Sequence, residues 1–295
     1  MKIVATFKTF PNQREFLVNF FKEEAEIIFV EDFPNEKTVE IIPTADILLS
    51  WNPESEGLYS SDISFGRVKF IQLLSAGFDH IKFDKFPERI KIAANQGAYA
   101  EPMAEHSVAM ILALSKRLFV YHNEMKDGKF KQIESETKFI KNSSIGIIGF
   151  GAIGKATARL MKPFGVKVLA INTSGKTNED VEFIGTLKDL DYIIKSSDIL
   201  LISCPLNDET YELINRQKLE LMKDDAILIN VARGPIIVEK DLYEHLKSHP
   251  NFYVGIDAWW VEPFKHGKFN LNYPFFKLPN LLGSPHNSSM VNDAM

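Results

Sequence analysis

Cysteine is almost missing from this chain: one residue in 295, Cys204, which cannot close an internal disulfide. A lone thiol suits a reducing cytoplasm, and no basic or paired neighbour argues for a reactive one. Positive charge is not in excess either. With 34 Lys and Arg against 39 Asp and Glu the formal charge is −5, and no basic stripe appears, so the electrostatic footprint of nucleic-acid binding is lacking. No apolar run approaches the roughly 18 residues of a membrane span. The opening MKIVATFKTF lacks the long apolar core of a secretory signal. The expectation is a cytoplasmic protein with neither a membrane nor a nucleic-acid partner. A metal site is not expected: His245 and His249 stand four apart, but Leu246, Lys247 and Ser248 between them supply no glutamate of the zincin pattern. Low-complexity tracts and solenoid-length repeats are absent as well.

What is present has the balance of a globular chain, 45% hydrophobic and 25% charged, and its length points to two domains. Residues 1 to 94 alternate short β runs (KIVATF, AEIIFV, ADILLS, VKFIQLL) with helical or loop segments. This rhythm predicts a small flavodoxin-like α/β domain. An amphipathic helix is expected over about Glu101 to Leu118, acidic at its start and basic at Lys116 and Arg117, an order that complements the helix dipole. Residues 95 to 286 read as a doubly wound, Rossmann-type parallel-sheet domain.

The centre of that second domain is Gly149-x-Gly151-x-x-Gly154. Alone, this pattern is weak. Here it follows an apolar strand, Ser144 to Ile148, and opens a helix at Ala152 and Ile153 that runs to about Lys162. A second apolar strand, Val166 to Ile171, completes the βαβ unit. In that setting Gly149 permits the tight turn, Gly151 lets the backbone approach a pyrophosphate, and Gly154 lets helix and sheet close on each other. The helix start offers free N–H groups and a positive dipole end to an anion.

Cofactor flavour is read at the end of the second strand, where an Asp or Glu would bind ribose hydroxyls and repel a 2′-phosphate. This chain has Asn172, then Thr173, Ser174 and Lys176, with no carboxylate before Glu179. Two hydroxyls and a cation suit a phosphate better than a bare ribose, which favours NADP(H) over NAD(H), although the Arg usual for that task is missing.

Several further motifs, in order, resemble one family. They are Leu74-Ser75-Ala76-Gly77-Phe78-Asp79, Asn95-Gln96-Gly97, Ala104-Glu105-His106, the segment Met222 to Gly234 (MKDDAILINVARG), Asp257 with Glu262-Pro263, and Ser284-Pro285-His286. The family they resemble is that of the D-isomer-specific 2-hydroxyacid dehydrogenases, enzymes that move a hydride between NAD(P) and a 2-keto or 2-hydroxy acid. The resemblance implies that Arg233 holds the substrate carboxylate and keto oxygen, that His286 is the general acid and base, and that Glu262 supports it. It gives Ser75, Ala76 and Gly77 to the substrate carboxylate. It assigns Cys204, Pro205, Thr210, Val231, Ala232 and Asp257 to the cofactor, beside the glycine turn and Asn172. It also implies ligands in a cleft between the domains and a homodimer built partly on the long helix. Chemistry independently wants the catalytic trio, because hydride addition to a ketone builds negative charge on oxygen, which a proton donor and a fixed cation both stabilise. A carboxylate beside an imidazole fixes its tautomer. The remaining histidines, His80, His106, His122, His245, His249 and His266, read as surface or core residues, and Trp259 and Trp260 as packing aromatics.

Two departures from the family stand out. Only nine residues follow His286, where relatives usually continue into a further helix that returns to the first domain, so either the return over 287–295 is abbreviated or the sequence is shortened; Asn287-Ser288-Ser289 replaces the small glycines of many relatives. For substrate, Ser50-Trp51-Asn52-Pro53 resembles the glyoxylate/hydroxypyruvate reductase branch. Trp51 would present an apolar wall that disfavours a phosphorylated dianion. Phosphoglycerate dehydrogenase-type activity is the alternative within the family, and a dinucleotide-sensing corepressor the alternative outside it. The formate dehydrogenase branch carries Gln where Glu262 stands.

Overall fold

Short β-branched and leucine-rich runs with no charged interior are what strands covered on both faces require, and the computed structural model turns them into two parallel sheets. The structure describes residues 1–133 and 136–291. The chain divides into two compact units, the first spanning Met1–Ala98 and the second beginning at Tyr99.

In the first unit the strands are β1 (Lys2–Ala5), β2 (Glu26–Phe29), β3 (Ile47–Ser50), β4 (Phe70–Leu73) and β5 (Lys91–Ala93). They pair in the order β2-β1-β3-β4-β5, all parallel. This is the flavodoxin-like order, with its switch point between β1 and β3. Alternate residues bury into opposite cores. Val4, Leu48 and Ile71 join one, while Ile3, Ala5 and Leu49 join the other, as the two-residue period of a strand demands. The expected strand at Val68 to Leu74 is trimmed to β4, β1, β2 and β3 lie inside their expected runs, and β5 lies outside the runs expected from sequence.

The second unit is built on β6 (Ser144–Ile148), β7 (Lys167–Ile171), β8 (Phe183–Gly185), β9 (Ile199–Ile202), β10 (Ile227–Asn230), β11 (Tyr253–Ile256) and β12 (Leu281–Gly283). Their order, β12-β11-β10-β9-β6-β7-β8, is parallel throughout. The order reverses between β6 and β9, so the carboxyl ends of those strands form the switch point at which such sheets bind ligands. Strands β9, β10 and β11 are buried along their full length, which is why they read as continuous apolar runs and not as alternating ones.

One helix expectation needs correction. The long helix is α3, the third in the chain after α1 (Pro11–Phe21) and the single-turn α2 (Thr38–Ile41); it spans Ala100–Ser115 and does not reach Leu118. Arg117 adopts a left-handed conformation, φ 50°, and a new helix, α4 (Leu118–Lys126), starts after it. Lys116 and Arg117 are spent outside the helix: Lys116 Nζ donates to the Lys138 carbonyl at 2.5 Å and Arg117 pairs with Glu136 at 2.6 Å. The buried face of α3 carries Met103, Ala104, Ser107, Met110, Ile111 and Leu114, the three- and four-residue spacing of an amphipathic helix. Each of the larger apolar residues there contributes on the order of 2 kcal/mol by leaving water. Ala100 and Ala104 meet Ala156 of α5 (Ala152–Met161) in a patch of small side chains, which lets the two helices approach closely. Gly255 in β11 keeps the same face open, since a methyl there would stand 2.8 Å from Ile229 Cδ1 and 3.2 Å from the Met110 sulfur.

Candidate active site

Three glycines shape the turn between β6 and α5, each for a different reason. Gly149 sits at φ 95°, and a Cβ there would overlap the backbone of Cys204, 2.5 Å from its Cα. Gly154 faces the sheet, where a Cβ would lie 2.6 Å from the Gly149 carbonyl oxygen and 2.9 Å from Ile147 Cγ2. Gly151 has nothing within 4 Å of the same imaginary atom, so protein packing does not explain it. Gly151 also precedes a helix start that no side chain caps, which leaves N–H donors and a positive dipole end facing that space. Open room, uncapped donors and a flat backbone are what a pyrophosphate needs, so the residues fit a dinucleotide. Ser203 at the end of β9 ties the turn down by donating its hydroxyl to the Gly149 carbonyl at 2.9 Å.

Beyond β7, Thr173, Ser174 and Lys176 are exposed. Asn172 is not free to greet a ribose. Its Oδ1 accepts from the Ser174 and Gly175 peptides at 3.1 and 2.7 Å, and its Nδ2 donates to the Lys176 carbonyl at 2.9 Å. The asparagine therefore builds the turn that displays Lys176, a job that Asn side chains do by mimicking backbone. The Ser174 hydroxyl is drawn into the same turn, 3.2 Å from Asn172 Oδ1. Of the carboxylates that follow, Glu179 pairs with Arg159 at 3.3 Å and Asp180 with Lys162 at 3.0 Å.

After β9, Cys204 packs its backbone on Gly149, and burial pushes its thiol up to about 12. In the folded protein at pH 8, Cys204 should react with iodoacetamide on the order of 1000-fold more slowly than an exposed cysteine. Labelling at the rate of a free thiol would show that this turn is not closed. Thr210, expected along the cofactor, is buried and its hydroxyl is consumed: it donates to the Pro205 carbonyl at 2.7 Å and accepts from the Asn207 peptide at 2.9 Å. It shapes the Pro205 loop.

Arg233 stands just beyond β10, half-buried, on a turn that Asn230 organises. Asn230 is 1% exposed; its Oδ1 accepts from the Ala232 peptide at 3.0 Å and its Nδ2 donates to the Arg233 carbonyl at 2.9 Å. Sequence reasoning missed this residue, although an asparagine closing the otherwise apolar run Ile227–Asn230 was a usable signal. Val231 and Ala232 are buried beside it. Gly234 is required because a Cβ would overlap the backbone of Trp259 and Trp260. That contact presses the arginine turn against the segment after β11.

The same segment carries Glu262. Its Oε1 accepts from the Trp259 peptide at 2.5 Å, and its Oε2 lies 2.7 Å from His286 Nδ1. The indole of Trp259 donates to the Ser284 carbonyl at 2.7 Å, joining this segment to the loop that bears the histidine. Carboxyl ends of three neighbouring strands, β10, β11 and β12, thus bring the Arg233 turn, Glu262 and His286 into one connected structure. His286 itself adopts φ 52°, a left-handed conformation that costs a side-chain-bearing residue about 1 to 2 kcal/mol. Such strain persists only where surroundings over-determine it.

Asp257 does much of that determining. Expected beside the cofactor, its carboxylate is 0% exposed and faces the histidine loop: Oδ1 accepts from the Ser284 hydroxyl at 2.6 Å and the Asn287 peptide at 3.1 Å, and Oδ2 from the Ser288 peptide at 3.2 Å. Burial alone would push this acid up, but hydrogen bonds from Ser284 and Ser288 and the nearby His286 and His106 outweigh it and hold Asp257 below the ordinary carboxylate range. His106, read from sequence as a bland histidine, stands in this network with Nε2 2.9 Å from Ser284 Oγ. Trp259 and Trp260 are packing aromatics as expected, Trp260 stacking on Phe275. Among the described residues no group of three or more His, Cys, Asp or Glu could hold a metal.

In the first unit, Trp51 and Ser75, Ala76 and Gly77 follow the adjacent strands β3 and β4. The Trp51 and Asn52 peptides donate to Glu56 Oε1 at 2.8 and 2.6 Å, and the Trp51 ring meets Phe7 edge-on. The buried Ser75 hydroxyl has no protein partner. An unsatisfied buried hydroxyl is costly and marks a place where a polar ligand group would be welcome.

Comparison with known proteins gives this geometry its context. The model for the D-isomer specific 2-hydroxyacid dehydrogenase catalytic domain matches residues 4–188, and that for the NAD binding domain of the same family matches residues 108–288. The chain belongs to the D-isomer specific 2-hydroxyacid dehydrogenases. It is an oxidoreductase of that family with an NAD(P)-binding domain. A hydroxypyruvate reductase of Thermotoga maritima is 31% identical over 90% of this chain and 84% of its own length. A glyoxylate reductase of Pyrococcus furiosus is 29% identical over 96% and 82%. Among solved structures, a D-lactate dehydrogenase from Aquifex aeolicus, complexed with NAD and lactic acid, superposes with a TM-score of 0.78 at 26% identity, covering 100% of this chain and 90% of that one. No helix among the described residues is long and apolar enough to cross a membrane. Of the expected return over 287–295, residues 292–295 lie outside the described residues.

Proposed function

We propose that this dehydrogenase reduces a small unphosphorylated 2-keto acid, glyoxylate or hydroxypyruvate, to the D-2-hydroxy acid, with NADP(H) favoured over NAD(H). The observation that carries the reading is the 2.7 Å contact between His286 Nδ1 and Glu262 Oε2, on a loop locked to the strand ends that also bear Arg233. When bound, the dinucleotide supplies the hydride. Glu262 accepts from Nδ1–H, which leaves Nε2 as the ring nitrogen that gives a proton to the keto oxygen in reduction and takes it back in oxidation. Arg233 offers its guanidinium to the carboxylate and to the oxygen on which charge builds. Ser75, with its partnerless hydroxyl, and the backbone of Ala76 and Gly77 receive the carboxylate. Trp51 supplies an apolar wall.

Lys176, exposed on a turn with no carboxylate directly after β7, supports the phosphate-bearing cofactor. Names of the relatives support the substrate class. The same reading includes a homodimer in the cytoplasm. Leu118 and Met125, both exposed and seven residues apart on α4, support the association.

Steady-state rates for glyoxylate, hydroxypyruvate, phosphohydroxypyruvate and pyruvate, each with NADPH and NADH, test the proposal. The expected result is the highest kcat/KM for glyoxylate or hydroxypyruvate with NADPH. A kcat/KM for phosphohydroxypyruvate well above that for hydroxypyruvate, or no cofactor consumption with any keto acid, overturns it. Arg233→Ala should lose on the order of 100-fold in kcat/KM on the preferred acid.

A further inference from the structure

The residues around Asp257 raise a question that the catalytic assignments do not answer. This carboxylate is completely buried, yet no Lys or Arg is its hydrogen-bond or ion-pair partner among the described residues. Its partners are one hydroxyl, two peptide N–H groups and, 3.7 Å away, the imidazole of His106. A buried charge is tolerated only when its surroundings satisfy it fully.

Proton bookkeeping settles the direction of the chain. An ionised carboxylate only accepts, so Ser284, 2.6 Å from Asp257 Oδ1, gives its single hydroxyl proton there. The oxygen of Ser284 is left as an acceptor toward His106 Nε2 at 2.9 Å, so Nε2 must carry hydrogen. The order is His106 Nε2–H to Ser284 Oγ, and Ser284 O–H to Asp257. Asp257 in turn grips the peptides of Asn287 and Ser288, immediately after a histidine held at φ 52°. His106 sits on α3, a sixteen-residue helix whose neighbouring turns are packed on the sheet, so its donor is delivered from a rigid support.

We infer that His106 is a positioning residue for His286: through Ser284 and Asp257 it holds the strained loop in the one conformation that aims the imidazole. The inference rests on the proposed catalytic role of His286, but its structural half can be read without turnover. The polar partners of His106 among the described residues are Ser284 and Asp257, and it makes no hydrogen bond to the glycine turn or to the Asn172 turn, so its removal should act on kcat and leave the KM for the cofactor alone.

The test compares His106→Leu, which removes the donor, with His106→Gln, whose side-chain amide can donate to Ser284. The readouts are kcat and KM, and amide hydrogen exchange of the peptide covering residues 284–290 in the substrate-free protein. We expect His106→Leu to lower kcat on the order of 10-fold or more, because small misplacements of a catalytic group are amplified in rate, and to speed exchange in that peptide. His106→Gln should restore most of both. If His106→Leu does not fold, Ser284→Ala interrupts the same chain without touching α3 and should give the same pattern.

Unchanged exchange and kcat in the folded Leu variant, or equal losses in Leu and Gln, overturn the inference. A wild-type protein that reduces no 2-keto acid while the Leu variant still frees residues 284–290 would sink the functional reading and leave the positioning role standing.

Discussion

His286→Ala is expected to lower the turnover of 2-keto acid reduction by about 100-fold or more, the usual scale for removing one general acid, while binding of the reduced dinucleotide is retained. The basis is geometric. Nδ1 is committed to Glu262 at 2.7 Å, so the ring has one tautomer-defined nitrogen left for proton transfer. Glu262→Gln should be milder, on the order of 10-fold, because the amide oxygen can still orient the ring but no longer balances its charge. Single-turnover rates measured after premixing with NADPH separate the chemical step from binding. Near wild-type single-turnover rates in His286→Ala would remove the histidine from the mechanism, whatever its place in the fold.

The glycine turn yields the second large effect, as a contrast between two substitutions two residues apart. Gly149→Ala should destabilise the protein by on the order of 3 to 5 kcal/mol, combining a left-handed backbone penalty with an overlap into the Cys204 backbone that no rotamer relieves. Gly151→Ala should leave thermal stability nearly unchanged, because its methyl enters open space, yet weaken dinucleotide binding at least tenfold by filling the room reserved for a phosphate. Melting temperature and cofactor titration, measured on both variants, give the four numbers needed. A stable Gly149→Ala protein would contradict the packing of this turn. A Gly151→Ala protein with undiminished affinity would mean that the cofactor does not approach there.

Much of this protein could be read along the chain. The apolar runs at Ser144 to Ile148 and Val166 to Ile171 became β6 and β7 within a residue, because a strand buried on both faces writes itself as consecutive apolar side chains. The helix after the glycine turn began at Ala152 as its context required. Where a boundary depended on distant partners the reading slipped: the helix expected to reach Leu118 stops at Ser115, since Lys116 and Arg117 find acceptors at Lys138 and Glu136. Asn172 and Thr210 illustrate the same limit at the site. Their type and position invited a ligand, but the loops they lie in had already claimed their polar atoms.

Sequence by itself determined the strand runs and the glycine turn, because each of these is encoded by residues a few positions apart, and it offered the arginine, glutamate and histidine as candidates. Only the tertiary structure decided who supports them. Ser284 lies 178 residues from His106 and 27 from Asp257, and Asn230, Gly234 and Trp259 meet across strand ends. Those pairings follow from parallel strand order, which brings the carboxyl ends of β10, β11 and β12 side by side and leaves no trace in local spacing.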